Sequence, residues 1–448
     1  MHLIKEIDFV KINSQEYLML NLINGAADII ENPVYEKVMA NDYDGIQSDI
    51  IQLMIERRYL FQTEADYYYF IEELDNKMEA LEESSIPNFL IVPTYDCNLN
   101  CSYCYEKTYE IKDTDISKQI QLIDQQFAII NDIVKKHKEK FPHNEEHVCV
   151  TIMGGEPLLG TNLEVITQIF QKSKENGYLV NIISNGVDLD RYLELFGDYK
   201  EVLEFIQITV DGTQEIHDTR RVFYNKKGSF QRIMKNIELG LQNGIKTYVR
   251  VNVDNSNIDN LPDLANQLVE LYKWNENLKP YLYLLQDGGC AGQTYIIDEK
   301  IGIEKIFELE KKNSNMRVFY KKFHPINFIE SIFENKPYMP VLRHCGASKN
   351  QYIFDCKANV YKCWHGIGND SFRIGTFDTD IAFDQEKKER WRNRSVQNIE
   401  KCKPCKYRYI CGTGCPAATH MSNEEFDINK ESCVDYQTLI QTLILQYI

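Results

Sequence analysis

The chain has 448 residues, of which 43% are hydrophobic and 26% charged, and its formal net charge is −17. That length allows about two to four domains with sizeable cores. The acid excess reads as a solubilising surface and argues against nucleic acid as a partner, which would need clustered Lys and Arg. The opening MHLIKEIDFVKINSQ lacks a secretory pattern, and no run of about 18 apolar residues predicts a membrane span. A cytoplasmic protein is therefore expected, where disulfides are rare. Its 13 cysteines, eight of them after residue 344, point first to metal.

Residues 1–80 begin with the β-like runs EIDFVKI and EYLMLNLI around the polar turn NSQ. Helical stretches follow at NPVYEKVM and GIQSDIIQLMIERRYL, then a wing-like RRYLFQTEADYYYF and the charged helix FIEELDNKMEALEESS. This predicts a small α+β unit, or else an N-terminal extension of the main domain. From 88 to 290 the pattern alternates. FLIVPTY, HVCVTIMGG, LVNIISNG, EFIQITVDG and KTYVRVNVD each precede a helix-like segment. Such alternation predicts a parallel sheet of βαβ units, whose strand ends are where ligands bind. Residues 291–344 read as a bridging region. Across 345–448 cysteine dominates and periodicity weakens, as in a segment organised by metal.

The first chemical motif is CNLNCSYC, placing Cys97, Cys101 and Cys104 just after a strand. Soft thiolates select iron–sulfur clusters or zinc. Three of them on a cubane cluster leave one iron open, whereas zinc would need a fourth ligand from elsewhere. After the next strand comes MGGEP, with Gly154 and Gly155 expected to let the backbone approach a ligand and Glu156 to accept from an ammonium group.

The pairing of C-x3-C-x2-C, with an aromatic (Tyr103) before its last cysteine, and a GGEP motif resembles the radical S-adenosylmethionine (radical SAM) superfamily. The resemblance implies that Cys97, Cys101 and Cys104 carry a [4Fe–4S] cluster and are the catalytic centre. Its open iron would chelate SAM, cleaved to a 5′-deoxyadenosyl radical that takes a hydrogen atom from substrate. It also implies that the GGEP backbone and Glu156 hold the methionyl amine, and that Ser184 and Asn185 in ISNG are SAM contacts. TVDGTQEIHDTRR resembles the family's DG-x4-HD-x2-R, with Asp211, His217, Asp218 and Arg221 in place. Arg221, or its neighbour Arg220, would neutralise the SAM carboxylate. Taken singly, each of these polar residues also reads as a strand-end cap or a surface ion pair.

CKPCKYRYICGTGC, with Cys433 downstream and Cys345 and Cys363 upstream, resembles the SPASM extension. That resemblance implies two auxiliary [4Fe–4S] clusters. One would use Cys402, Cys405, Cys411 and Cys433, the other Cys345, Cys363 and Cys415 with an open iron or with Cys290 or a non-cysteine ligand. Ala358 stands where the family has glycine. Cys356 lies in the turn of an expected hairpin, too far along it to share the iron of Cys363. Two zinc ribbons are the rival reading.

The expected architecture is thus α/β. A partial (β/α)6 radical SAM barrel would carry a small winged-helix-like N-terminal domain and a C-terminal iron–sulfur SPASM domain. Sulfatase maturases of this family place an acidic base directly after the cysteine equivalent to Cys363. Here Trp364 stands there, followed by His365, which argues against formylglycine formation. The N-terminal unit resembles the element that binds the leader of a ribosomal precursor peptide as an added strand. A peptide maturase making cysteine thioethers, as in sactipeptide and ranthipeptide synthases, is the reading this favours. It would draw electrons from a donor such as flavodoxin or ferredoxin. Carbon–carbon or ether cross-linking, epimerisation and sulfatase maturation are alternatives, as are an electron relay and a zinc-bound peptide-binding scaffold.

Overall fold

The computed structural model describes residues 1–104, 106, 116–273, 275–285, 296–334, 336–378, 381–419 and 427–448. The N-terminal segment holds five short strands: β1 (His2–Leu3), β2 (Ile7–Lys11), β3 (Glu16–Asn21), β4 (Ala27–Glu31) and β5 (Leu60–Phe61). An antiparallel sheet has the order β2-β3-β4, and β1 pairs with β5. Helices Asn32–Met39 and Ser48–Glu56 pack against it. The wing expected over residues 57–70 is reduced to β5. Thr63 and Asp66 form a reciprocal capping box, which starts the helix Glu64–Ser84 early and draws EADYYYF into its first two turns. β4 was not foreseen, because AADIIE is too short to show alternation.

The main sheet is built from β6 (Asn88–Val92), β7 (Cys149–Ile152), β8 (Leu179–Ser184), β9 (Leu203–Thr209), β10 (Thr247–Val253), β11 (Leu278–Leu284) and β12 (Tyr320–Lys321). All seven run parallel, in sequence order. Phe89, Leu90, Ile91 and Val92 are all buried, as a strand covered on both faces requires. The covering helices are amphipathic. Phe230–Gln242, for example, buries Phe230, Ile233, Met234, Ile237 and Leu241 at helical spacing. The five expected strands are present, and β11 completes a partial six-stranded barrel. β12 falls in the stretch the sequence left unread.

The sheet does not stop at β6. β13 (Gln351–Asp355) pairs parallel to it, followed antiparallel by β14 (Asn359–Tyr361), β15 (Arg373–Thr376) and β16 (Ala382–Phe383). The C-terminal region therefore extends the barrel sheet by its own hairpin. Ala358 turns that hairpin in the left-handed region, at φ +62.

The N-terminal domain docks on the cysteine-rich end. Arg343 lies between Glu79 and Glu82 of helix Glu64–Ser84, at 2.6 and 2.9 Å, with Arg343 and Glu82 both buried. Among the described residues no helix is long and apolar enough to cross a membrane.

Candidate active site

The first cysteine loop leaves the C-terminal end of β6 and is tied to the loop after β7. Gly155 N donates to Thr94 O at 3.2 Å and Glu156 N to Asp96 O at 2.8 Å. A Cβ on Gly154 would lie 2.6 Å from Thr94 O, and one on Gly155 2.4 Å from Tyr95 O and Asp96 O. The two glycines thus serve close packing of chain on chain.

Glu156 is also held within the protein. Its carboxylate accepts from Leu158 N at 2.8 Å, Ser184 Oγ at 2.7 Å and Asn185 N at 2.6 Å, and is 1% exposed. It ties the ends of β7 and β8 together, with two of these bonds on Oε1 and one on Oε2. Burial pushes its pKa up to about 7, against the hydrogen bonds that lower it. Asn185 reaches back to the cysteines. Its Nδ2 lies 3.8 Å from Cys97 Sγ and 2.7 Å from Asn98 Oδ1.

Tyr103 points into the barrel mouth. Its hydroxyl bonds Asp211, accepts from Arg221 Nη1 at 2.7 Å and meets Asn252 Nδ2 at 3.2 Å. Arg220 is held by Asp254, with Nη1 2.7 Å from Oδ2, and its guanidinium also lies over the Tyr103 ring, 5.1 Å from the centroid. Arg221 is 7% exposed, and its Nε has no hydrogen-bond partner among the described residues. His217 is a scaffold residue. Its Nε2 contacts Ser229 Oγ at 3.0 Å, and burial lowers its pKa to about 3, so it is neutral. Asp218 accepts from Ser229 N and Phe230 N, capping the following helix.

The C-terminal cysteines gather in two groups. Cys363 and Cys345 lie within electrostatic reach of each other and of Cys415. Cys411 and Cys402 lie likewise beside Cys405 and Cys433. Cys356 is buried near the Asp355 carboxylate instead, and Cys290 lies outside the described residues. Among the described residues no three His, Cys, Asp or Glu side chains close on one point like ligands of a single ion. Thiols on separate irons of a cluster need not do so.

A cavity of about 960 Å³ reaches Cys415 of the first group. Tyr103 and Asn252 line it, as do Cys415, His344, Trp364 and His365. Its walls are the inward faces of the strands: Thr151 and Met153, Gln207 and Thr209, Arg250 and Asn252. Sequence reasoning passed over these wall residues. Their signal was polar side chains at alternate positions in strands that should be apolar on both faces.

Residues 91–268 match the radical SAM superfamily. The chain carries a radical SAM domain. The cofactors of such a domain are SAM and a [4Fe–4S] cluster. The residues fit them: three thiols share one loop, Leu99 N lies 3.5 Å from Cys97 Sγ, and the buried Arg221 guanidinium stands beside Cys101 with a donor to spare. Burial holds the Cys97 thiol up to about 12, an order that a cationic metal centre reverses.

Among relatives, the cysteine-type anaerobic sulfatase-maturating enzyme of Clostridium novyi is 25% identical over 73% of this chain and 87% of that protein. The antilisterial bacteriocin subtilosin biosynthesis protein AlbA of Bacillus subtilis is 28% identical over 40% of this chain and 38% of its own length. Streptococcus suis SuiB bound to precursor peptide SuiA shares the fold, with a TM-score of 0.53 at 12% identity, over 96% of this chain and 98% of that one.

Proposed function

We propose that the chain is a radical SAM maturase of a ribosomally made peptide that joins a cysteine sulfur to a carbon of the same peptide. The observation that carries this reading is a cavity lined both by Tyr103 of the first cysteine loop and by Cys415. A substrate segment held there meets both cysteine sites at once. Relatives of both kinds, a sulfatase-maturating enzyme and a bacteriocin biosynthesis protein, support a peptide substrate.

Cys97, Cys101 and Cys104 would hold the SAM-binding cluster, with Arg221 on the SAM carboxylate. That pair, once bound, supplies hydrogen-atom abstraction by a 5′-deoxyadenosyl radical. Cys345, Cys363 and Cys415 would hold one auxiliary cluster, an acceptor for the surplus electron, and Cys402, Cys405, Cys411 and Cys433 another. The chain's own part is to orient the peptide and exclude water. His365 is neutral, its pKa lowered to about 4 by burial, and lines the cavity where a peptide thiol would shed its proton. Trp364 stands beside it, 39% exposed.

The leader would bind at the N-terminal domain. β4 ends its sheet, and a cavity of about 390 Å³ lies between it and helices Asn32–Met39 and Ser48–Glu56. Ile29 and Leu53 line that cavity and are largely exposed, at 62% and 44%. An unpaired edge above an apolar groove suits an added strand. A low-potential donor such as flavodoxin or ferredoxin would supply electrons from the cytoplasm.

The test is mass spectrometry of a cysteine-bearing precursor peptide encoded beside the gene, after incubation with reconstituted enzyme, SAM and dithionite. A loss of two hydrogens per cross-link, with 5′-deoxyadenosine formed, is expected. Conversion of a sulfatase peptide to formylglycine would instead favour the sulfatase-maturase reading.

A further inference from the structure

Between Cys405 and Cys411 the chain reads KYRYI. Its first four side chains all leave the cysteine segment and end on carboxylates of the N-terminal domain. Lys406 Nζ lies 2.9 Å from Asp8 Oδ1, and Tyr407 Oη donates to Asp8 Oδ2 at 2.8 Å. Arg408 Nη2 is 2.9 Å from Glu6 Oε1, and Tyr409 Oη donates to Asp75 Oδ1 at 2.8 Å. Glu6 and Asp8 are 1% and 4% exposed. Glu6 also accepts from Tyr67 of its own domain, but the cations that balance both carboxylates come from the cysteine loop. Cys402 itself packs in the apolar cluster of Met19, Tyr59 and Tyr67.

Buried carboxylates on a sheet strand are costly unless cations meet them there, so docking is specified by charge as well as by shape. A loop of five residues with four side chains anchored has little freedom left for the cysteines at its ends. We propose that Glu6, Asp8 and Asp75 are positioning residues for Cys402, Cys405, Cys411 and Cys433. These four thiols take their cluster-holding arrangement only with the N-terminal domain docked. This rests on the reading that the four cysteines hold an auxiliary cluster. The domain assigned to peptide recognition and the far cluster then form one structural unit.

The test compares full-length native enzyme with the double variant Glu6→Gln, Asp8→Asn, both reconstituted with iron and sulfide. Iron per chain and the EPR spectrum of the dithionite-reduced protein are the readouts. The double variant should lose one cluster's share of iron and that cluster's signal, yet still form 5′-deoxyadenosine from SAM without peptide. Asp8→Glu should restore both. Unchanged iron and EPR in the double variant overturn the proposal. So does an equal loss in Asp28→Asn, which breaks contacts to Arg57 and Tyr59 inside the domain without touching the loop. Tyr407→Phe removes one hydroxyl only and serves if the double variant folds poorly. Its far cluster should release iron to a chelator about tenfold faster, and an unchanged rate overturns the proposal. Native enzyme with iron for one cluster alone would refute the underlying cluster reading before any variant is made, and this proposal with it.

Discussion

The two cysteine loops are held by opposite means. The first, Cys97–Cys104, hangs from β6 and is fixed mainly through backbone: Glu156 N holds Asp96 O just before it, Asn100 N and Ser102 N donate to Val222 O and Arg220 O, and Asn185 at the end of β8 reaches Cys97. The second, Cys402–Cys415, contains only short helical turns and is fixed by side chains reaching another domain. A site at strand ends inherits its geometry from the ladder beneath it. A site in irregular chain takes its geometry from whatever packs on it.

The sharpest break in that comparison is chemical. Replacing Cys97, Cys101 or Cys104 by Ala should reduce 5′-deoxyadenosine formation to background while the C-terminal iron is retained, read by chromatography and iron analysis. The next is mechanical. Arg343→Met removes one of two cations from the buried Glu82 at the domain interface, leaving Lys349 at 3.2 Å, and should cost about 1.5–3 kcal/mol, seen as a lower urea midpoint.

A pH titration sharpens the first loop's side. Glu156 has a folded pKa of about 7 against an ordinary 4.5, raised mainly by burial. The folded chain therefore binds this proton more tightly than the unfolded chain. Stability should be greatest below the ordinary carboxylate range and fall by about 3 kcal/mol as pH rises through 7. Urea midpoints should fall between pH 5 and pH 8 in the native chain, and that slope should flatten in Glu156→Gln. The smallest effect is expected at Ala358→Gly in the β13–β14 turn. Relief of a left-handed φ there is offset by a lost buried methyl and a more flexible unfolded chain, for a net change within about 1 kcal/mol.

Much of the first site was legible because its parts are local. Cys97, Glu156, Ser184 and Asp211 lie at or within five residues of a strand end, so they could be placed from the alternation of strand and helix. Their bonding could not be read. Glu156 also ties strand ends together, and Asp218 caps a helix. At the far end the spacing identified cysteines, yet the KYRY loop between them passed as ordinary polar chain. Its partners Glu6, Asp8 and Asp75 lie more than three hundred residues away in sequence.

The sequence by itself determined the chemistry on offer: three thiols in one loop, two further sets of cysteines, and five of the strands of a parallel sheet. Periodicity and spacing are local properties, carried by neighbouring residues whatever the rest of the chain does. Only the tertiary structure decided that β13 extends the barrel sheet, that one cavity faces both cysteine regions, and that the N-terminal carboxylates close on the far cysteine loop. Those depend on contacts between distant segments, where burial turns an otherwise weak ion pair into a demand for one particular partner.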